Sequence, residues 1–186
     1  MDSPESAYIE TYTGKIFHIL APTVDEICIE DIAHALSQQC RFTGHTRVPY
    51  SVAEHSIYVS ELCPKEYALW GLLHDASEAY ISDLNSPLKT YSALGDYYKE
   101  IEARLMKVIG EKFGLFGHEP PEVKKIDYEM LWVEKSQLLT SASWGDKWPA
   151  PKSVPDIKIA ALPSREAEAA FLERYTLLTG GDSCPN

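Results

Sequence analysis

The chain has 186 residues, of which 45% are hydrophobic and 24% are charged, as in an ordinary soluble globular protein with enough chain for one packed core. Its net charge of -11 argues against broad nucleic-acid binding, which needs basic stripes, although a few local Arg or Lys side chains can still attract a phosphate. The chain contains neither an apolar run of about 18 residues nor a signal-peptide pattern at MDSPESAYIE, so we expect a cytoplasmic protein without a membrane segment.

The four cysteines are widely scattered and form no C-x-x-C pair. This spacing excludes zinc-ribbon and redox motifs and favours reduced thiols.

The first third of the chain predicts a short hairpin followed by helices. Residues 8–20 alternate loosely around the turn signal Thr13-Gly14, and residues 29–39 have apolar side chains at helical spacing. A polar loop covers residues 40–50. Ser51 is then expected to cap a helix that runs to about Leu62, with Glu54 as its capping-box partner.

The remaining elements are also predicted to be helical. We expect a helix from Lys65 through His74-Asp75 to about Tyr80, and then a loop over SDLNSPLK. Three further helices are expected at residues 94–113, from Pro120-Pro121 to about Leu139, and from Ser164 to about Leu178. The Trp- and Pro-rich stretch 141–158 is read as a surface loop, or a lid. The fold class is therefore mainly α, with at most a small β-hairpin, in one domain.

The tetrad His55, His74, Asp75 and Asp127 is the main chemical signal. Imidazole and carboxylate are the ligands that hold borderline-hard divalent metals, and one helix carrying His74 and Asp75 cannot complete a coordination shell. Residues from the preceding and a later helix would complete it and leave positions for water and a substrate oxygen. A metal-centred hydrolase is the first hypothesis.

Two further acids accompany the tetrad. Glu78 lies one helical turn beyond His74-Asp75, where a carboxylate can activate or position a water, and Asp83 follows in the next loop. The plain alternative is a buried His74-Asp75 ion pair with a solvated Glu78.

Three ordered motifs resemble those of the HD-domain phosphohydrolases: SVAEHS at 51–56, LLHDASEAYISDLNSPLK at 72–89 and VKKID at 123–127. The resemblance covers roughly residues 40–140. Within the family, the motifs are most similar to those of the 5′-deoxynucleotidase branch, and they also resemble those of phage dATP triphosphohydrolases. It implies a compact helical HD-domain bundle, with an HD core at about 29–140 followed by a C-terminal loop and helix at 141–186.

The same resemblance implies roles for individual residues. His55, His74, Asp75 and Asp127 fall at the metal-ligand positions, Glu78 at the catalytic carboxylate and Asp83 at a loop acid. Arg41 and Phe42 resemble an Arg-Trp pair that approaches the substrate, and Lys89 falls on a phosphate-side lysine after the Pro87 loop. Gly44 is a small residue at a position where a bulkier side chain can shape the base pocket, so it is a departure that bears on base specificity. The cofactor would be a divalent metal (Mn, Co, Zn, Fe or Mg).

The chain departs from the family pattern at Ser82, which replaces a glycine, and at Phe42, which replaces the tryptophan. These differences bear on base specificity more than on the reaction. Without the resemblance, Arg41 and Lys89 read as surface charges and Phe42 as a core residue. Among the other histidines, His34 is expected to be structural, whereas His45 and Arg47 are candidates for the substrate mouth, with a surface position as the alternative.

Several functions stay open at this point. The favoured one is a metal-dependent phosphohydrolase on 2′-deoxynucleoside 5′-phosphates, with phosphate release from a dNMP slightly ahead of triphosphate release from a dNTP. The alternatives are a phosphodiesterase, with His34, His45 and Asp83 as spare ligands, and a non-enzymatic metal-binding module. The expected partner is a small nucleotide, and Trp70, Tyr97 and Trp144 are candidate exposed aromatics for a homo-oligomer. The base, the sugar, the leaving group and the metal are not determined by these motifs.

Overall fold

The computed structural model describes residues 7–140 and 149–181 and has a mainly helical fold with one small antiparallel hairpin, which confirms the predicted fold class. The elements are β1 (Ile9–Glu10), β2 (Ile16–Phe17), α1 (Ile29–Gln38), α2 (Val52–Leu62), α3 (Ala68–Leu73), α4 (Glu78–Ile81), α5 (Ser86–Tyr91), α6 (Ala93–Phe113), α7 (Pro121–Leu138) and α8 (Ser164–Thr179).

The predicted hairpin around Thr13-Gly14 is confirmed, with Ile9 paired to Phe17. Gly14 has a positive φ of 82°, a conformation that glycine adopts without a steric penalty. Thr13 fastens the turn to α1, because its amide and hydroxyl both donate to the carboxylate of Asp31, at 2.7 and 3.0 Å.

Helix α2 begins as predicted, with the Ser51 hydroxyl accepting a hydrogen bond from the Glu54 amide at 3.1 Å. The predicted return bond of the capping box is wrong. The carboxylate of Glu54 instead accepts hydrogen bonds from three successive backbone amides, those of Ala160, Ala161 and Leu162. Glu54 therefore fastens the segment before α8 to α2.

The continuous helix predicted from Lys65 to Tyr80 is wrong. The chain forms a 3₁₀ turn at Lys65–Tyr67, the short α3, a further turn at 74–77, and then α4. Across that turn the backbone bonds span three residues, as in Ala76 N–H to Leu73 O and Glu78 N–H to Asp75 O. The His74 imidazole donates to the carbonyl of Gly71 at 2.8 Å, so a side chain uses a carbonyl that a regular helix would pair with a backbone amide.

The loop predicted for SDLNSPLK is also partly wrong, because α5 begins inside it. Asn85 caps this helix by accepting a hydrogen bond from the Leu88 amide at 3.2 Å, and Pro87 lies in its first turn. An Asn cap with a Pro two residues later is a helix-start signal that was present in the sequence.

The three long C-terminal helices lie where they were predicted. Gly114 ends α6 in the left-handed conformation, with φ 72°. Between α7 and α8, residues 149–158 have no helix or strand. Residues 141–148, with Trp144 and Trp148, lie outside the described residues, so the predicted lid stays a prediction.

Two apolar clusters share α2. The first lies among α1, α2, α3, α6 and α8 and includes Phe17, Leu72 and Phe171. The second lies between α2, α7 and the segment before α8 and includes Val59 and Met130. Because α2 is covered on both sides, a polar residue on it is removed from solvent and needs a partner.

The partly buried Trp70 packs against both apolar clusters, which corrects its reading as an exposed aromatic, whereas Tyr97 is 56% exposed. Cys28, Cys40 and Cys63 are reduced thiols, as expected, and Cys184 lies outside the described residues. None of the described helices has the length and apolar character that spanning a membrane requires.

Candidate metal centre and adjoining cavity

Side chains from three helical elements meet at one point beside α2. One ligand atom from each of His55, His74 and Asp75 lies within 4.8 Å of the other two. Asp127, in the second turn of α7, places Oδ1 3.1 Å from Nε2 of His55. The structure thus brings together the four residues predicted as metal ligands.

Hydrogen bonds fix the orientation of both imidazoles. The Nδ1 atom of His55 lies 2.6 Å from Glu134 Oε1, and that of His74 lies 2.8 Å from the carbonyl oxygen of Gly71. Since both acceptors lack hydrogens, each neutral ring carries its proton on Nδ1. The Nε2 lone pairs then face each other, with the two atoms 3.4 Å apart.

Glu134 also belongs to this cluster, although no sequence motif pointed to it. It is fully buried and also accepts a hydrogen bond from the Tyr50 hydroxyl at 3.0 Å and one from Arg41 Nη2 at 3.3 Å. The signal was present in the sequence, because Glu134 lies seven residues, or two helical turns, after Asp127 on the same face of α7. A carboxylate behind a ligating imidazole raises its basicity and fixes its orientation.

The charges of this cluster depend strongly on one another. Burial alone would lower the pKa of His74, but the charge and hydrogen bond of Asp75 raise that pKa to about 10. Burial alone would raise the pKa of Asp127, but the hydrogen bond and charge of His55 hold it below its ordinary value. Without a metal, the cluster therefore holds protons that a cation would displace.

The donor set fits a divalent cation. Two imidazole nitrogens with oriented lone pairs and two carboxylates are ligands suited to Zn, Mn, Fe or Co. His55 is fully buried and the His74 side chain is 3% exposed, whereas the Asp127 side chain is 39% exposed. The cluster is thus open to solvent on the side of Asp127.

Glu78 lies beside this cluster, within reach of the charge of Asp75. It is 5% exposed, so the alternative with a solvated Glu78 does not hold. Within the described part of the chain its Oε2 atom is buried and has no hydrogen-bond partner. Burial and the negative charge of Asp75 raise the pKa of Glu78 well above its ordinary value.

Asp83 follows Glu78 across a sharp turn and is partly buried. Burial raises the pKa of Asp83 and the charge of Asp75 adds to that effect, while Arg41 opposes it. The two acids predicted as catalytic therefore lie near the metal-ligand cluster, and both hold their protons more tightly than exposed carboxyls do.

Arg41 connects the ligand cluster to a cavity. Its guanidinium lies 3.4 Å from Asp75 Oδ2 and 3.3 Å from Glu134 Oε1, and its side chain is 14% exposed. Burial would lower the pKa of Arg41, but the carboxylates of Glu134 and Asp75 raise it, so the group is always charged.

The chain turns sharply directly after Arg41. Phe42, Thr43 and Gly44 all have positive φ angles, of 54°, 53° and 75°. Such a conformation costs a non-glycine residue about 1–2 kcal/mol and persists where the surroundings impose it. One anchor is the bond from the Arg47 amide to the carbonyl oxygen of Leu138 at 2.9 Å, which holds the loop against the end of α7.

This turn forms one wall of a cavity of about 500 Å³. The lining residues include both charged and apolar side chains: Arg41, Phe42, Thr43, His45, Asp83, Asn85, Ser86, Pro87, Leu131 and Leu139. Arg41 and Asp83 are shared with the surroundings of the ligand cluster, and Phe42, Leu131 and Leu139 supply apolar surface. The cavity volume lies in the range of small-ligand sites.

Some predicted substrate residues line this cavity and others do not. Phe42, Pro87 and His45 belong to the lining, whereas Gly44, Arg47 and Lys89 do not. Lys89 Nζ is paired with Glu102 on α6 at 2.5 Å and lies over the ring of Tyr98.

The contacts of His34 involve none of the proposed metal ligands. Its Nδ1 lies 3.0 Å from Glu168, and its ring stacks on Tyr12 with centroids 3.7 Å apart. This agrees with the structural role expected for His34, since a stacked and paired ring is held in place.

Two proteins that match most of the chain are themselves uncharacterized. The chain is 38% identical over 181 residues to the uncharacterized protein YfdR of Escherichia coli K12, covering 96% of this chain and 99% of the relative. It is 33% identical to the uncharacterized protein RCAP_rcc00048 of Rhodobacter capsulatus, covering 92% of this chain and 95% of the relative.

A third relative is a 5′-deoxynucleotidase of Vibrio atlanticus, 32% identical over 98 residues, which cover 50% of this chain and 48% of that protein. No family model matches the chain.

Proposed function

We propose that this chain, which belongs to the same family as Escherichia coli YfdR, is a metal-dependent hydrolase of 2′-deoxynucleoside 5′-phosphates with an HD-type ligand set. The observation that carries the proposal is Glu78, a buried carboxylate with an unpartnered oxygen beside two oriented imidazoles and two acids. A purely structural metal site has no use for such an acid, because its burial costs free energy that the charges of Arg41 and Lys89 offset only in part.

The partial relative supports the substrate class. The 5′-deoxynucleotidase of Vibrio atlanticus matches about half of this chain at 32% identity. The motifs SVAEHS, HDASE and VKKID, which resemble those of HD-domain phosphohydrolases, contribute all four proposed ligands.

In this proposal His55, His74, Asp75 and Asp127 hold the cation. When bound, a divalent cation at these ligands lowers the pKa of a coordinated water and polarises a phosphoryl oxygen. Glu134 and the carbonyl of Gly71 keep the two imidazoles in the tautomer that binding requires.

The other charged groups handle the phosphate and the protons. Arg41 presents a planar guanidinium at the boundary between the ligand cluster and the cavity, which suits a phosphate oxygen pair. Glu78 accepts a proton from the attacking water, and its raised pKa makes it a stronger base than an exposed glutamate. Asp83 lies on the cavity side, where it can exchange a proton with the leaving group.

The cavity would hold the nucleoside. The ring of Phe42 offers a stacking face, Leu131 and Leu139 add apolar surface, and Asn85 and His45 offer polar atoms. A flat base beside Phe42 and Leu131, with its phosphate near Arg41, matches the distribution of apolar and charged groups in the cavity.

Monophosphate is the favoured substrate, with a dNTP triphosphohydrolase as the second candidate on the same ligand set. A phosphodiesterase with a second metal is disfavoured, because the described residues contain one group of metal-ligating side chains. His34, one of the spare ligands for a second metal, is instead paired with Glu168 and stacked on Tyr12.

The test is a product assay with the four dNMPs and four dNTPs in the presence of Mn²⁺, Co²⁺ or Mg²⁺. We expect inorganic phosphate and a nucleoside from at least one dNMP, and no product from a His74→Ala, Asp75→Ala double variant. The exposed His118 gives a matched control, since His118→Ala should act as wild type. Triphosphate release from one dNTP would favour the second candidate, and absence of any product that depends on His74 and Asp75 would contradict both.

A further inference from the structure

The turn between the two proposed catalytic acids contains a strained residue. Ser82 has φ 63° and ψ 159°, a combination that is populated almost only by glycine. Ser82 directly precedes Asp83, so its backbone conformation affects where the Asp83 carboxylate lies relative to Glu78. Because a serine does not hold such a conformation by itself, other groups must impose it.

The side chain of Gln39 bridges this turn. Its Nε2 donates to the carbonyl oxygen of Glu78 at 2.9 Å, and its Oε1 accepts from the Asp83 amide at 3.2 Å. The amide orientation follows from chemistry, because a carbonyl needs a donor and an N–H needs an acceptor. One side chain therefore fixes the distance between the backbones of the two acids, on either side of Ser82.

Two further bonds support the same turn. The Tyr98 hydroxyl on α6 donates to the carbonyl oxygen of Ser82 at 2.5 Å, and the Ser82 amide donates to the carbonyl oxygen of Glu78 at 2.8 Å. Of the side chains that contact this turn through these bonds, Gln39 alone contacts both Glu78 and Asp83.

The backbone of Gln39 is fixed to the rest of the site. Its carbonyl oxygen accepts from the amide of Val52, the first residue of the helix that carries His55, at 3.0 Å. Arg41 follows two residues later, and its amide donates to the carbonyl oxygen of Tyr50 at 2.9 Å. Gln39 thus connects the ligand helix, the arginine and the acid turn.

We propose that Gln39 is a positioning residue that holds the strained Ser82 turn, so that Glu78 and Asp83 are placed together beside the metal ligands. It acts through the backbone of the acids, and it does not belong to the cavity lining. This inference rests on the proposed function for its kinetic consequence, whereas the clamp itself is a property of the folded chain.

The kinetic test compares Gln39→Leu with Gln38→Leu, the same substitution at an exposed neighbour on α1. Misplacing a reacting group by about 1 Å costs on the order of 10²-fold in rate, so we expect Gln39→Leu to lower kcat by about 10- to 100-fold with KM within about threefold. Bound metal per chain should be unchanged, since none of the four ligands bonds to Gln39. A kcat equal to that of Gln38→Leu would overturn the proposal.

Ser82→Gly separates positioning from a general structural role. Glycine adopts this backbone conformation without strain, so the turn of the Ser82→Gly variant depends less on the clamp. In the double variant Gln39→Leu, Ser82→Gly we expect kcat to recover by about tenfold relative to Gln39→Leu alone, a coupling that independent effects do not produce. A loss that simply adds to that of Gln39→Leu would show that Gln39 acts elsewhere, and would overturn the proposal.

Hydrogen exchange tests the clamp independently of turnover. Gln39→Leu should speed amide exchange in peptides covering residues 79–85 and leave those of α2 unchanged, because the Asp83 amide loses its acceptor. Unchanged exchange at 79–85 would overturn the clamp even if kcat fell. If the wild-type protein turned over no nucleotide, the proposed function would fail and the positioning role with it, while faster exchange at 79–85 would still support the clamp.

Discussion

Glu134 offers a sharp prediction because one buried carboxylate serves three partners. It is fully buried and accepts hydrogen bonds from His55 Nδ1 at 2.6 Å, from the Tyr50 hydroxyl at 3.0 Å and from Arg41 Nη2 at 3.3 Å. In Glu134→Gln the amide oxygen can keep His55, but the amide nitrogen then faces the Arg41 guanidinium, so two donors oppose each other.

The Glu134→Gln substitution should change both the stability of the protein and its affinity for the metal. Loss of the charged hydrogen bond to Arg41 should lower the free energy of unfolding by about 1.5–3 kcal/mol. Loss of the carboxylate behind a ligating imidazole should weaken metal binding by about 10- to 100-fold, or about 1.4–2.8 kcal/mol. The first effect is measured by denaturant unfolding of the metal-free protein, and the second by calorimetric titration with Mn²⁺ or Zn²⁺.

Glu129→Gln is the matched control. Glu129 is also a buried glutamate of α7, 6% exposed, but its partners are Lys125 and the Ser153 hydroxyl. We expect this variant to bind metal as wild type does. Equal metal affinity of wild type and Glu134→Gln would refute the role given to Glu134.

Three further predictions concern the acids, the cation and the cavity. The pKa of Glu78 is raised above 4.5, so as pH rises the unfolded chain loses this proton first and the metal-free protein loses stability. Glu78→Gln should therefore raise the Tm of metal-free protein at pH 7 while lowering kcat by about 10²-fold or more; a lower Tm would contradict this sign. Because the pKa of His74 is raised to about 10, metal binding should release about one proton. The metal affinity should therefore increase about tenfold per pH unit between about pH 6 and 8. Calorimetry in buffers of different ionisation enthalpy measures the number of protons released, and no release would contradict the prediction. Phe42→Leu should raise KM about tenfold through lost stacking with kcat nearly unchanged, and an unchanged KM would place the base elsewhere.

The sequence predicted the long elements well, because their signals are local. Ser51 as a cap, Gly114 as a stop and the Thr13-Gly14 turn each act through the backbone of a few neighbouring residues. The helix break at His74 was not predicted, because it depends on an imidazole bonding the carbonyl of Gly71. Helical periodicity does not report such a bond.

The site shows the same division. The four proposed ligands were found from residue type and motif order, since metal chemistry restricts both. Glu134 and Gln39 were missed because their roles depend on contacts across 79 and 44 residues, from His55 to Glu134 and from Gln39 to Asp83. Glutamate and glutamine are common on exposed helical faces, so only burial and partners in the fold distinguish these two.

The proposed deoxynucleotide hydrolysis depends on one cation held by His55, His74, Asp75 and Asp127. The most direct test is to strip the protein with a chelator and to measure phosphate release from the preferred dNMP as Mn²⁺ is added back, for wild type and for Asp127→Asn. We expect no turnover without metal, saturation at about one tightly bound cation per chain, and a large loss of both binding and turnover in Asp127→Asn. Turnover that persists in the stripped protein, or that is unchanged in Asp127→Asn, would contradict it.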